Sequence, residues 1–311
     1  MKVLIVGAAG FVGGYLIEEL KSVGAEIVAT KLPFERIDIG GVAVRDLDIT
    51  DQSSIDCVLS ETDPDVVFHL AAQSSVKLSW EKPAFTANVN IIGAINLFES
   101  AKTHLKKSAR ILVVGSGEEY GEINYSAPVK ETTEPKPKNI YALTKLAQEN
   151  IAKIYVGAYG LNIVMTRSFN HIGPKQSPQF VVADFCSQVA KIEKGLSGNE
   201  IAVGNLSAKR DFTDVRDVVK AYVLLAEKGE SGETYNVGSG VSVAVSEILD
   251  RILRLSEKDI KVVVDGKKLR PVDVPEIRAD ISKISALGWK RTYDLNTTLR
   301  ETLDYFRKET L

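Results

Sequence analysis

The stretch that most constrains this fold is the N-terminal one. Val3-Leu4-Ile5-Val6 is a short apolar run, and Gly7-Ala8-Ala9-Gly10-Phe11-Val12-Gly13 follows it. Phe11 to Val23 then has helical spacing, ended by Gly24. A strand that turns at glycines directly into a helix is the context that makes such a spacing a dinucleotide-site candidate. Gly7, Gly10 and Gly13 permit a tight turn and close approach of backbone to a pyrophosphate. The first N–H groups of the helix, around Phe11, Val12 and Gly13, and the helix dipole then favour the negative charge. A merely compact strand-to-helix turn is the alternative.

The same alternation continues through the first half. Strands are expected at 26–30, 42–45, 65–70, 110–115 and 161–167, and helices at about 51–60, 83–103 and 139–159, with Thr50 or Asp51 as the N-cap of the first of these. This pattern argues an α/β fold, a Rossmann-type doubly wound parallel sheet with right-handed crossovers. Ligands then sit beyond the strand C-termini, where Gly7, Gly10, Ala71, Ser116 and Arg167 fall. Later segments read as helices at 177–196, 243–255, 280–287 and 294–308 and a strand at 260–264, with Asp214 capping another helix. They suggest a smaller mixed α/β lobe: residues 1–167 and 212–238 would form the nucleotide domain, 168–211 and 239–311 the second lobe.

Chemistry enters at Tyr141-Ala142-Leu143-Thr144-Lys145. Of the ten tyrosines, Tyr141 is the one with a lysine four residues on, which puts both on one face of a helix. A close ammonium would favour the phenolate and let the pair exchange a proton with a carbinol or ketone oxygen. Alone, the spacing fits a surface helix equally well. At the end of the second strand, Thr30-Lys31 stand where an NAD site usually carries Asp or Glu, and a hydroxyl and a cation suit the 2′-phosphate of NADP(H), with NAD(H) the alternative. Arg36 is a second candidate for that phosphate. With 39 Lys and Arg against 41 Asp and Glu the net charge is −2, so no general attraction to nucleic acid or anionic membrane is expected. Cys57 and Cys186 lack metal-type spacing and fit a reducing compartment, and no metal site is expected. The N-terminus has no signal-peptide pattern and no run approaches the ~20 apolar residues of a membrane span, so a cytoplasmic protein is expected.

In order and spacing, Gly7-x-x-Gly10-x-x-Gly13, Asp48-Ile49-Thr50-Asp51, His69-Leu70-Ala71-Ala72-Gln73, Asn88, Ser116 before Tyr120-Gly121, and Tyr141-x-x-x-Lys145 resemble the extended short-chain dehydrogenase/reductases, in particular their nucleotide-sugar epimerase, dehydratase and reductase group. Arg167 to Pro174, Gly204 to Phe212 and Arg270 to Val274 narrow the resemblance to GDP-mannose 4,6-dehydratases and GDP-4-dehydro-6-deoxy-D-mannose reductases, with the length closer to the reductases.

The resemblance implies Ser116, Tyr141 and Lys145 as catalytic residues. It places the cofactor against Gly7, Gly10, Phe11, Val12, Gly13, Thr30, Lys31, Asp48, Ile49, Leu70, Ala71, Ala72 and Asn88 as well as Tyr141 and Lys145. A GDP-linked 4-keto-6-deoxy sugar would meet Gln73, Ser116, Glu118, Asn170, Gln176, Phe180 and Val203, with Arg210 and Arg270 on the diphosphate. Lys145 would lower the Tyr141 pKa, and His69 would be structural and hydrogen-bonded. In dehydratases the segment at Ser116 reads Thr, then Ser or Asp, then a Glu that removes the C5 proton. Here Ser116-Gly117-Glu118 keeps the Glu and lacks the middle polar group, so Glu118 is read as a sugar-hydroxyl ligand or as that base. A 4-ketoreductase leads, ahead of a 4,6-dehydratase and a 4-epimerase. An NADP-sensing regulator is the non-enzyme alternative. The apolar positions of helices 84–103 and 139–159 suit the four-helix seam of a homodimer.

Overall fold

The computed structural model describes residues 1–37, 39–122, 127–269 and 274–310. Six strands of the first half, β1 (Lys2–Val6), β2 (Glu26–Lys31), β3 (Ala43–Asp46), β4 (Val66–His69), β5 (Arg110–Ser116) and β6 (Asn162–Ser168), lie in one parallel sheet. A seventh member comes from much later in the chain, β10 (Thr234–Val237), and the order is β10-β6-β5-β4-β1-β2-β3. That strand pairs with β6, Asn236 opposite Arg167. The strands are rich in Val, Ile and Leu because helices cover both faces, and β4 is buried along its whole length.

On one face α1 (Phe11–Ser22) presents Leu16, Ile17 and Leu20 to Val3, Ile5 and Phe68. The helix Val215–Lys228 adds Tyr222 and Leu225 to the same cluster. On the other face α2 (Gln52–Thr62), two short helices α3 (Val76–Glu81) and α4 (Pro83–Ala87), α5 (Gly93–His104) and α6 (Ile140–Tyr159) pack, with Leu97, Phe98 and Ala152 against Leu4, Val67 and Ile111. Full burial of one such side chain contributes roughly 1.5–3 kcal/mol. Asp51, not Thr50, caps α2, accepting from the Ser53 N–H at 3.0 Å. α6 begins at Asn139, whose side chain accepts from the Ala142 N–H at 2.8 Å, and ends at Gly160 with φ +69, a left-handed stop that glycine takes without strain. The helix expected over 83–103 runs through one wide π turn, Asn88–Ile92, where Gly93 N–H reaches back to Asn88 O.

The second lobe carries strands that the sequence reading did not foresee. β7 (Asn170–Ile172) pairs with β9 (Lys209–Asp214), and β8 (Glu200–Val203) with the expected strand Lys261–Val264. Helices α7 (Val181–Glu193), α8 (Val215–Lys228) and α9 (Val245–Leu253) intervene, with β10 (Thr234–Val237), β11 (Ser242–Ala244) and β12 (Lys261–Val264) between and after them. The chain closes on α10 (Ser282–Ala286) and α11 (Leu295–Glu309). β11 takes the first residues of the helix expected from 243 because Ser242 to Ala244 pair antiparallel with β9. Phe185, Val189, Ile248, Leu249, Leu299 and Leu303 form the core of this lobe. Among the described residues no helix is long and apolar enough to cross a membrane.

Candidate active site

The turn after β1 is built for a close approach. Gly7 has φ +85, and a Cβ there would stand 2.6 Å from Ala71 Cα. A Cβ on Gly13 would stand 2.1 Å from Ala8 O, so α1 lies directly on the turn. Gly10 differs: the nearest atom to a Cβ is Gly7 O at 3.7 Å. No side chain caps α1 at Gly10, so the space over its first turn suits an anionic ligand. The Phe11 ring lies parallel to His171 at 6.1 Å, and the Tyr15 hydroxyl donates to Pro174 O at 2.9 Å. The 171–174 segment therefore lies against the first turns of α1. Leu70 and Ala71 both donate backbone N–H groups to Val6 O at 2.9 Å, which holds the Leu70–Ala72 loop beside it.

Several expected cofactor contacts need correction. Thr30 is fully buried, and its hydroxyl donates to Ile5 O and accepts from Gly7 N–H, each at 3.1 Å, so it shapes the turn and does not face a phosphate. Lys31 is not a free cation, since parallel pairing of β2 with β3 brings the Asp46 carboxylate to its ammonium. Arg36 is exposed on the following loop. Asp48 Oδ1 holds the turn by accepting from Thr50 N–H at 2.9 Å and Thr50 Oγ1–H at 2.7 Å, and the Ile49 side chain is buried with its carbonyl taken by Asn96. Asn88 is exposed. The asparagine turned inward is Asn90, which accepts from Gln73 N–H at 2.8 Å and donates to Gln73 O at 3.1 Å and Thr144 Oγ1 at 2.9 Å. It ties the β4 loop to the Tyr141 helix. The Gln73 amide is itself occupied, donating to Ser75 O and Thr86 Oγ1 and accepting from Ser75 N–H, so its side chain braces this loop and is not a substrate contact.

Ser116, Tyr141 and Lys145 converge at the end of β5. The Ser116 hydroxyl oxygen accepts from Glu118 N–H at 3.2 Å, and Ser116 acts on the Tyr141 phenol by hydrogen bonding. Burial nevertheless pushes Tyr141 well above an ordinary phenol, with Glu118 and Glu119 reinforcing it against Ser116. The expected lowering by Lys145 is absent: the ammonium donates to Val114 O at 2.9 Å and Gln148 Oε1 at 3.0 Å. Burial brings Lys145 down to about 8, opposed by Glu119. His69 is buried with no hydrogen-bond partner on either ring nitrogen, against the expectation of a bonded histidine. Burial, aided by Lys145, lowers its pKa to about 3, so it is neutral.

Sequence reasoning missed the charge cluster behind these residues. Arg167 was placed at the ligand face, yet its guanidinium grips both oxygens of Glu149, at 2.9 and 2.8 Å, and lies 3.5 Å from Glu119. Glu119 accepts from Ser116 N–H at 2.7 Å, and burial with the nearby Glu149 raises its pKa to about 8. No spacing in the chain links Glu119, Glu149 and Arg167, and only the sheet and α6 bring them together.

On the substrate side Asn170 is exposed at the start of β7, and Phe180 is 36% exposed just before α7. Gln176 is buried and donates to His171 O at 2.9 Å, with its Oε1 unpartnered. The Val203 side chain lies in the core of the second lobe, so it is not a substrate contact. Arg210 donates to Lys209 O at 2.9 Å and Val274 O at 2.6 Å, bracing the start of the 274–279 segment. Arg270 lies outside the described residues.

A family model described as GDP-mannose 4,6 dehydratase matches residues 4–302. The chain belongs to the GDP-mannose 4,6-dehydratase family. It is 31% identical to GDP-6-deoxy-D-mannose reductase of Pseudomonas aeruginosa, over 97% of this chain and 96% of that protein. To GDP-mannose 4,6 dehydratase 2 of Arabidopsis thaliana it is 32% identical, over 92% and 82%. The structure of RMD from Pseudomonas aeruginosa complexed with NADPH superposes with a TM-score of 0.86 at 30% identity, covering 99% of both chains. Thermus thermophilus UDP-glucose 4-epimerase in complex with NAD superposes with a TM-score of 0.89 at 30% identity, again over 99% of each. The family is one of nucleotide-sugar enzymes that use a nicotinamide cofactor. The glycine turn, the uncapped α1 and the Ser116–Tyr141–Lys145 group fit such a cofactor.

Proposed function

We propose that the protein reduces the 4-keto group of GDP-4-dehydro-6-deoxy-D-mannose to give GDP-D-rhamnose, with NADPH as preferred reductant. The observation that carries this reading is the Ser116-Gly117-Glu118 segment beside the buried Tyr141 phenol: it sets two hydroxyls where a carbonyl oxygen can meet them and lacks the middle polar group of the dehydratases. Reduction of a carbonyl needs a proton donor at the oxygen, whereas dehydration and epimerisation begin by taking a proton from a sugar hydroxyl.

NADPH supplies the hydride in this chemistry. Tyr141 gives its proton to the C4 oxygen. Ser116, whose oxygen accepts from Glu118 N–H, turns its hydroxyl hydrogen from the Tyr141 phenol to the same oxygen. One such donor, aimed where charge develops, lowers the barrier by about 3–4 kcal/mol. Lys145 fixes a positive charge beside the reacting group and holds the nicotinamide ribose. Glu118 takes a sugar hydroxyl, Asn170 a sugar hydroxyl or the diphosphate, and Arg210 and Arg270 hold the diphosphate through charge-assisted hydrogen bonds. Arg36 takes the 2′-phosphate.

GDP-mannose 4,6-dehydration is the second reading, favoured by the carboxylate of Glu118 at the position of the dehydratase base. Against it stands Gly117: a side chain there would begin 3.0 Å from the Phe169 ring, so the missing polar group needs that ring to give way. A homodimer belongs to the same proposal. Phe85, Ile92, Leu143 and Ile154 are exposed on the 83–104 helix and α6, as a four-helix seam requires.

The test is cofactor stoichiometry. With excess NADPH, one equivalent should be lost per keto sugar while GDP-mannose is untouched. Conversion of GDP-mannose without net loss of NADPH would make the protein a dehydratase.

A further inference from the structure

Within the stretch from Gly115 to Gly121, Glu118 is the one residue that is not buried, so its carboxylate is what this loop offers to the cleft. The loop is zipped to the segment that leads into α6. Tyr120 O accepts from Lys136 N–H at 3.2 Å, Gly121 bridges to Lys136, and Lys138 lies 3.6 Å from Glu122. A Cβ on Gly121 would fall 1.8 Å from Lys136 O, so the two strands meet without room for a side chain. The last rung is Asn139. Its Nδ2–H donates to Glu118 Oε2 at 3.2 Å, and its Oδ1 accepts from Ala142 N–H at 2.8 Å. The two partners fix the amide's orientation, because the helix end presents only a donor and Glu118 only acceptors. One side chain thus starts the Tyr141 helix and holds the Glu118 carboxylate.

We propose that Asn139 is a positioning residue that locks Glu118 to the first turn of α6, so that one carboxylate oxygen is tied down and the other is presented to a sugar hydroxyl at a fixed place relative to Tyr141. This rests on the reading of Glu118 as a sugar ligand. The backbone completes the lock, since Glu118 N–H donates to Ser116 Oγ and Glu118 O accepts from Gly121 N–H at 3.1 Å. Ser116, Glu118 and Tyr141 then move as one unit, and a sugar bound at Glu118 has its C4 set against Ser116 and Tyr141.

A double-mutant cycle tests this. Asn139→Ser keeps a side-chain oxygen that caps α6 and removes the donor to Glu118. It should raise KM for the keto sugar about tenfold, the size of one lost hydrogen bond to a charged group, with the affinity for NADPH unchanged. In a Glu118→Ala background the same substitution should change KM by less than about twofold, because the contact it breaks is already gone. Equal effects in both backgrounds, or no effect in either, would overturn the proposal and leave Asn139 a helix cap alone. Asn139→Asp, which keeps the cap and sets a second carboxylate against Glu118, should be worse than Asn139→Ser. The cycle is read again as calorimetric affinity for GDP-mannose, which needs no turnover. If wild-type protein oxidises no NADPH with the keto sugar, the reductase reading fails, while the coupling of Asn139 to Glu118 is still decided by that affinity.

Discussion

Tyr141 and Lys145 lie one turn apart on the same face of α6, yet the Lys145 ammonium donates to Val114 O and Gln148 Oε1 and leaves the phenol to Ser116. The two groups therefore titrate for separate reasons. Tyr141 stays protonated because it is buried, and Lys145 is a weakened cation because it is buried.

Tyr141→Phe should lower kcat by about 10²–10⁴-fold, the usual contribution of a positioned acid. Dinucleotide affinity should not change. Turnover measured with and without the hydroxyl, alongside calorimetric titration of NADPH, checks this. Undiminished turnover would remove Tyr141 as the proton donor.

The lowered Lys145 pKa sets the alkaline limb. Activity as kcat/KM, which reports the free enzyme, should fall as pH rises through about 8. The stability change has the opposite sense. Between about 8 and the ordinary value of 10.5 the unfolded chain holds a proton on Lys145 that the folded one has lost, so this lysine makes stability rise with pH there. Activity that stays level to pH 9.5 would contradict the assignment.

Gly10 and Gly13 should separate binding from folding. Gly13→Ala places a methyl 2.1 Å from Ala8 O and should destabilise the fold by about 1–3 kcal/mol in urea unfolding. Gly10→Ala meets no atom nearer than 3.7 Å and should leave stability alone while weakening NADPH binding. Unchanged affinity in Gly10→Ala would move the pyrophosphate away from this turn.

Arg36→Ala should weaken NADPH about tenfold or more, the worth of a charge-assisted hydrogen bond, and leave NADH unaffected. Asp46→Asn, which frees Lys31, should shift preference further toward NADPH. Fluorescence titration with both nucleotides distinguishes these outcomes from a site indifferent to the 2′-phosphate.

Glu149 and Arg167 are both nearly inaccessible to solvent, so removing Arg167 leaves the buried Glu149 carboxylate with Lys153 as its remaining ion-pair partner. Arg167→Met should cost about 3–5 kcal/mol. Burial works to raise the Glu149 carboxyl, but Arg167 and Lys153 outweigh it and hold the pKa below the usual 4.5. This pair's stabilisation is therefore present above that value and is lost as pH falls through the lower folded-state pKa. Urea midpoints at pH 7 and pH 3, for wild type and Arg167→Met, should converge at the acid end.

What the sequence alone determined is the local part of this protein. Strand, glycine turn and helix at residues 3–23 depend on neighbours in the chain, as does the shared face of Tyr141 and Lys145, and all of these were legible. Whatever depended on pairing between distant segments was not. Asp46 reaches Lys31 because β3 runs parallel to β2, and Thr30 turns inward because its hydroxyl meets Gly7 and Ile5 across the sheet. Asn90 replaces Asn88 because the π turn and the packing of α6 choose which asparagine faces Gln73 and Thr144. β7 and β9 are short strands that pair with partners far apart in sequence, each other and β11, so no periodicity announced them. The charge states follow the same division. A sequence shows which groups can ionise, but desolvation is a property of the folded interior, and it is burial that keeps Tyr141 protonated and brings Lys145 down toward neutral pH.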